Sequence, residues 1–342
     1  MKLAHEKYGK LPWKRLFMPS INISRNGFPV PAELSIRLME IVLNNPILSS
    51  IYAPIDGKLL KEGETLYRTN YSITLEKIAN NYTEFYKGSI AKSLIKTIQD
   101  AGGIMILEDL VNYHPVVRKP IIGYYNGRKI ITTPEPASGV VLIFLLNLLE
   151  KYELHKIGFA RRTEIGDSAF FENKTEHNLR ILELISKEYA DIVRRNLTDD
   201  ETHNPNYYNP LYSEVNDHGT AHLSAIDNND MAVSFTSTNM GFTSKKPLSS
   251  TIPTVIEKDG KLELVIGGSG GTKIISAVLQ AFFESGFSFK LIENLLEIGH
   301  VIQMSNIHDR RFSAMVQAVR KFNNNTIHAV SDFRKLGKAA GY

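Results

Sequence analysis

The chain has 342 residues, 43% of them hydrophobic, which is enough for one large or two ordinary domains around a real core and excludes a disordered chain. Its 40 basic and 36 acidic side chains leave a formal charge of +4 and form no Lys/Arg stripe, which argues against a nucleic-acid partner. Without cysteine there is no disulfide, no thiolate nucleophile and no soft ligand for structural zinc, and the longest apolar run, 139–146, is far short of the roughly 20 residues that cross a bilayer.

The opening Met1-Lys2-Leu3-Ala4-His5-Glu6 lacks the apolar stretch of a signal peptide and reads like the interior of a domain. Asn-x-Ser/Thr triplets begin at Asn22, Asn70, Asn81, Asn173, Asn196 and Asn324. They suit a secreted or lumenal surface, and they also arise by chance in an Asn-rich chain. Up to about residue 115 the periodicity is helical. Pro31 stands at a first-turn position before Leu34, Leu38, Ile41 and Val42. Ser72 or Thr74 is expected to cap a helix carrying Ile78, Tyr82 and Phe85, and Gly102-Gly103 ends the helix of Leu94, Ile95 and Ile98. Residues 120–131 predict a hairpin about Asn126-Gly127, and the run to Leu149 predicts a helix beginning near Ser138.

Residues 172–200 are polar and helical, with Ile181, Leu182, Ile185 and Ile192 on one side. Turn formers from Asn204 to Pro210 predict an exposed linker leading to Thr220. Two hairpins follow, 221–238 about Asn228-Asn229 and 252–266 about Asp259-Gly260, then helices near 272–284 and 289–299.

Three segments have chemical potential. A first hairpin folded about Asn229 places Thr220 directly opposite Thr238, and opposed residues have β-carbons about 4.5 to 5.5 Å apart. A slip of one residue would put the two hydroxyls on opposite faces. A threonine hydroxyl is a weak nucleophile that needs a base, and the α-amine of a newly exposed N-terminus, with a pKa near ~8, can serve from the same residue. Gly219 before Thr220 suits scission of that bond; a strand-entry threonine after a turn glycine fits the dipeptide too. The second segment, Leu264 to Ile275, is a strand, a Gly-rich turn and a helix. Its amides at Gly270 and Gly271 could face an oxyanion, or the turn is structural. It is no dinucleotide fingerprint, since Lys273 takes the last glycine's place, and no P-loop is present. In the third, Ser249-Ser250 offers paired hydroxyls to a carboxylate, or simply forms a turn before a strand. The histidines lack metal-ligand spacing, so neither metal nor cofactor is expected, and His222 reads as a packing or supporting residue.

These segments, with Gly9-Lys10-Leu11-Pro12-Trp13, Gly27-Phe28-Pro29-Val30, Ala101-Gly102-Gly103-Ile104, Asp109-Leu110, Pro134-Glu135-Pro136-Ala137-Ser138-Gly139, Gly219-Thr220-Ala221-His222, Pro247-Leu248-Ser249-Ser250, Gly270-Gly271-Thr272 and Ala339-Ala340-Gly341-Tyr342, make the chain resemble a γ-glutamyltransferase, or glutathione hydrolase, of the N-terminal-nucleophile superfamily. The resemblance implies an α+β fold, a four-layer αββα sandwich. It implies autocleavage between Gly219 and Thr220 into a large-subunit-like part, 1–219, and a small-subunit-like part, 220–342, that stay associated. It further implies γ-glutamyl transfer from glutathione and other γ-glutamyl compounds to water, amino acids or dipeptides. On that pattern Thr220 is nucleophile and base, Thr238 supports it, Gly270 and Gly271 supply oxyanion amides, and Ser249, Ser250 and Asn239 bind substrate, Asn239 with an offset of one residue. A glycoprotein at the outer face of the plasma membrane or secreted is implied as well.

The chain departs from the pattern in three places. It begins inside the large subunit, it passes almost directly from Asn239-Met240-Gly241-Phe242 to Lys246-Pro247-Leu248, and it is short before Gly158-Phe159-Ala160-Arg161-Arg162. The sandwich is therefore expected to be incomplete. A catalytically impaired relative acting as a scaffold or binding protein is the alternative.

Overall fold

The computed structural model describes residues 1–38, 42–150, 164–198, 207, 219–238, 248–282, 297, 315–332 and 337–341. Apart from Tyr207 and residue 297, the expected linker at 204–210 and helix at 289–299 lie outside the described residues, as do Asn239 and the stretch 158–162. The chain forms two compact units, Met1–Val117 and Arg118–Tyr342.

The first unit contains α1 (Lys2–Tyr8), α2 (Trp13–Asn26), β1 (Phe28–Pro29), α3 (Ala32–Arg37), α4 (Pro46–Tyr52), β2 (Thr65–Leu66), α5 (Thr69–Asn80), α6 (Ser89–Asp100) and α7 (Leu107–Val111). Helices α2 and α5 pack through Ile21, Leu75 and Ala79 with Phe17 against them, and the Trp13 indole N–H donates to Ile78 O at 3.1 Å. Neither Ser72 nor Thr74 caps α5, contrary to the sequence expectation. Both lie inside it, and their hydroxyls donate back to Thr69 O and Asn70 O at 2.7 and 3.1 Å. A hydroxyl within a helix can satisfy itself on the preceding turn, so its presence does not mark a start. Nor does that helix reach Phe85: it stops at Asn81, whose side chain accepts from Thr83 N–H and starts a separate 3₁₀ turn.

The second unit contains β3 (Ile121–Tyr125), β4 (Arg128–Thr132), α8 (Gly139–Leu149), α9 (Lys174–Leu184), α10 (Lys187–Arg195), β5 (Ala221–Ile226), β6 (Ala232–Ser237), β7 (Thr254–Lys258), β8 (Lys261–Ser269), α11 (Ile274–Phe282), β9 (Met315–Lys321) and β10 (Ile327–Ser331). Six strands form an antiparallel sheet in the order β10-β9-β8-β7-β4-β3. The β3–β4 and β7–β8 turns fall where the sequence places them, with positive φ at Asn126 and Gly127 and at Asp259 and Gly260. Strands β9 and β10 have no counterpart in the sequence reading. In β9 the polar Gln317, Arg320 and Lys321 interrupt the apolar residues on both faces, which hides the alternation.

Helix α8 is apolar nearly all round, and every one of its residues is buried. It lies against β3 and β4, with α9 and α10 packed on it, and its one polar side chain, Asn147, donates to Ile185 O at 2.7 Å. Ile130, Ile256 and Ile266 of the sheet share one core with α8 and with Ile274, Ile275 and Val278 of α11. The hairpin β5–β6 lies on β8 and β9, where His222 packs on Gly267, a position on the sheet face opposite Ile266. Helices, sheet and hairpin therefore stack in the α-β-β order of an αββα sandwich. Leu223, Val233 and Phe235 on the hairpin's outer face are 58%, 47% and 44% exposed, so among the described residues the fourth layer is incomplete.

Candidate active site

The β5–β6 hairpin is set by its turn. The Asp227 carboxylate accepts from the N–H groups of Asn229 and Met231, both at 2.8 Å, and Asp230 takes φ 62°. Pairing then runs from Ile226↔Ala232 to Ala221↔Ser237 without a bulge. One step further, Thr220 Oγ1 lies 3.0 Å from Thr238 Oγ1. The register predicted from sequence is the one adopted. Gly219, with φ 100°, precedes Thr220 in a conformation that favours glycine.

Even-numbered residues of the hairpin face the large sheet, and beyond Ile226 and Ala232 next to the turn they are polar. Ser234 Oγ accepts from Thr254 N–H at 3.1 Å and donates to Ile266 O at 2.9 Å, bridging the Thr254–Ile266 pair of β7 and β8. His222 Nδ1 is 2.7 Å from Thr236 Oγ1 and Nε2 is 2.9 Å from Ser224 Oγ. With the Ser224 hydroxyl donating to Gln317 O at 3.3 Å, the tautomer that satisfies all three contacts has Nε2–H donating to Ser224 and Nδ1 accepting from Thr236. Burial pushes the His222 pKa down to about 4, so the ring is neutral at pH 7.

These contacts give the hairpin a direction. The Ser234 contact falls at Ile266, and that of His222 at Gly267, further along β8. Continuing the same way, the Thr220–Thr238 end points toward the end of β8, where Ser269 leads into the glycine turn. Gly270 (φ 136°) and Gly271 (φ 63°) adopt conformations open to glycine, and a 3₁₀ turn at Gly271–Lys273 runs into α11. The turn thus presents N-terminal helical amides with no side chain in the way.

Ser249 and Ser250 are buried, at 7% and 3% exposure, just before β7. Since Thr254 pairs with Ile266, β7 begins at the end of the sheet where β8 finishes, so the serines and the glycine turn leave by the same end. Ser249 N–H donates to Pro136 O at 2.9 Å, and its hydroxyl donates to Thr251 Oγ1 at 3.1 Å. Ser138 N–H and Oγ donate to Thr251 O and Ser249 O at 3.0 and 2.6 Å. Ser250 Oγ has no partner among the described residues. The structure therefore brings Thr220 to Thr238 directly, and sends the serine segment and the glycine turn to the same sheet end. Asn239 lies outside the described residues.

One ion pair, a buried carboxylate with a half-buried arginine, had no signal in the sequence. Arg118 Nη2 donates to Asp167 Oδ1 at 3.1 Å, and Arg118 Nη1 donates to Glu135 O. Neither residue belongs to a motif, and their separation of 49 positions hides their proximity. Among the described residues no His, Asp or Glu cluster fit for a metal is found, and no helix is long and apolar enough to cross a membrane.

A family model described as gamma-glutamyltranspeptidase matches residues 1–245 and 243–285. Glutathione hydrolase proenzyme 1 of Schizosaccharomyces pombe is 33% identical, with 99% of this chain and 68% of the relative covered. Scoloptoxin SSD14 of Scolopendra dehaani is 30% identical, with 100% and 74% covered. The first alignment runs over 436 positions against a chain of 342 residues, so the chain lacks residues that this relative carries inside the matched span. In fold, the chain is similar to the crystal structure of a cephalosporin acylase from Bacillus halodurans, with a TM-score of 0.76 at 18% identity, covering 99% of this chain and 76% of that one.

Proposed function

This chain belongs to the gamma-glutamyltranspeptidase family, and we propose that it cleaves itself between Gly219 and Thr220 and then transfers γ-glutamyl groups through an ester on Thr220. The observation that carries this reading is the 3.0 Å contact of Thr220 Oγ1 with Thr238 Oγ1, beside a glycine in a left-handed conformation. Once the amine of Thr220 is free, it takes the hydroxyl proton as Oγ1 attacks the γ-carbonyl of glutathione or another γ-glutamyl compound. Thr238 orients the attacking oxygen. The amides of Gly270 and Gly271 receive the developing oxyanion. Collapse breaks the C–N bond, and the amine leaving group departs with the proton held by the threonine amine. Water, or the amine of an amino acid or dipeptide, then attacks the ester and frees Thr220.

In this reading Ser249 and Ser250 hold the α-carboxylate of the γ-glutamyl group, and Asn239 contributes to the same site. The two products of self-cleavage stay together because β4, from the first, pairs along its length with β7, from the second. A secreted or outer-surface location is part of the proposal, supported by the exposure of Asn22, Asn70, Asn81, Asn173, Asn196 and Asn324. Incubating the purified chain and weighing the products tests the first step: two fragments divided at Gly219-Thr220 are expected, and a folded chain that stays whole overturns it. Product release from glutathione, absent in Thr220→Ala, tests the second.

A binding or scaffold protein of the same family is the second reading. It is favoured by the internal shortfall against the S. pombe relative. Turnover of glutathione by the wild-type chain would eliminate it.

A further inference from the structure

We propose that Arg118, fixed by Asp167, is a positioning residue for the Ser249–Ser250 carboxylate subsite, an inference that rests on the γ-glutamyl reading above. Asp167 is 2% exposed and Arg118 23%. Asp167 Oδ1 also accepts from Ala169 N–H at 3.4 Å, so its own backbone helps to orient the carboxylate. The guanidinium spans two acceptors, giving Nη2 to Asp167 and Nη1 to Glu135 O. Both contacts hold the arginine inward, where it acts as a clamp and not as a grip on substrate.

What it clamps is the strip from which the serines hang. Pro136, next to Glu135, accepts Ser249 N–H at 2.9 Å, and Ser138 donates to Ser249 O at 2.6 Å and to Thr251 O at 3.0 Å. Ser249 and Thr251 are thus pinned on both sides of Ser250, whose buried hydroxyl is left without a partner among the described residues. A buried unpaired hydroxyl is costly, and it is tolerated where a ligand or water completes it. Its aim depends on the strip 135–138, and the strip is held by Arg118. Lysine could not replace it, because a single ammonium does not reproduce a planar fork serving two separated acceptors.

The test compares Arg118→Lys and Asp167→Asn with the wild type, using L-γ-glutamyl-p-nitroanilide as donor. Arg118→Lys should raise KM about tenfold with kcat changed less than about twofold, and Asp167→Asn, which keeps an acceptor oxygen, should raise KM only about threefold. An unchanged KM, or a fall in kcat as large as the rise in KM, overturns the proposal. Should Arg118→Lys fail to fold, Asp167→Asn carries the same test. Hydrogen exchange separates this inference from the reading beneath it. In Arg118→Lys the amides of 137–139 and 248–251 should exchange at least about tenfold faster while those of 221–226 keep wild-type rates. That pattern supports the clamp even if the wild type turns out not to hydrolyse the donor, and unaltered protection of 248–251 refutes it even in an active enzyme.

Discussion

Gly267 is the floor on which the His222 ring rests: a β-carbon added to Gly267 would lie 2.1 Å from His222 Cε1 and 2.6 Å from both ring nitrogens. The ring cannot retreat without giving up Thr236 and Ser224, the two hydroxyls that hold it. Together with the Ser234 hydrogen bond to Ile266 O, this contact joins the hairpin bearing Thr220 to the strand that ends in the glycine turn.

Gly267→Ala should therefore lift the hairpin from β8. Overpacking of this kind costs about 1–3 kcal/mol, which urea unfolding would read as a lower midpoint at unchanged slope. Self-cleavage at Gly219-Thr220 should slow in the same variant. A fully stable Gly267→Ala protein would show that the Ser234 and Ser224 hydrogen bonds hold the hairpin in place without the His222 contact.

The hydroxyl pair makes a narrower prediction. Thr238→Val removes the partner of Thr220 while keeping the shape, and the loss of one hydrogen bond of about 1–1.5 kcal/mol should slow acyl transfer by roughly tenfold. Thr238→Ser, which retains the hydroxyl, should stay within about threefold of the wild type. Pre-steady-state rates of nitroaniline release measure both.

His222 predicts a pH dependence of stability. Its folded pKa of about 4 lies below the ordinary histidine value of 6.5, so the unfolded chain binds the extra proton first. The stabilisation from keeping it neutral is complete above pH 6.5 and is lost as the pH falls through about 4. Allowing for partial solvent access, the loss is on the order of 2 kcal/mol. Burial also lowers the His177 pKa, with Glu135 opposing, so His177 adds in the same direction. His222→Gln should flatten the profile of unfolding free energy over this window, and an unchanged slope would contradict the assignment.

Glu263 accepts from Arg128 at 2.7 and 3.1 Å and from Arg320 at 3.1 Å, linking β4, β8 and β9 through one carboxylate. Burial pushes its pKa up, yet the two guanidinium groups outweigh that and hold it below the usual carboxylate value. Its contribution is thus present at neutral pH and lost in acid. Glu263→Gln should cost about 1–3 kcal/mol at pH 7 and much less at pH 3, by chemical denaturation.

Local chemistry made much of this protein legible. Asn126-Gly127, Asp259-Gly260 and the Asp227 turn specify hairpins within a few residues, and the Thr220–Thr238 register follows by counting outward from a turn. The apolar run to Leu149, broken only by Asn147, announced a helix. The strand, glycine turn and helix through Gly270 and Gly271 were readable because glycine alone fits such backbone angles freely. Starts of helices were less legible, since Ser72 and Thr74 can serve inside a helix as well as at its end.

Amino-acid order by itself thus determined the elements, the hairpin register and the identity of the candidate nucleophile, because each depends on backbone preferences and spacing over short range. Only the tertiary structure decided which face of the hairpin meets the sheet, that Ser249 hangs from Pro136, and that Arg118 reaches Asp167. Those contacts join residues far apart in the chain. They are selected by the burial of a whole layer, a cooperative energy that no local pattern records.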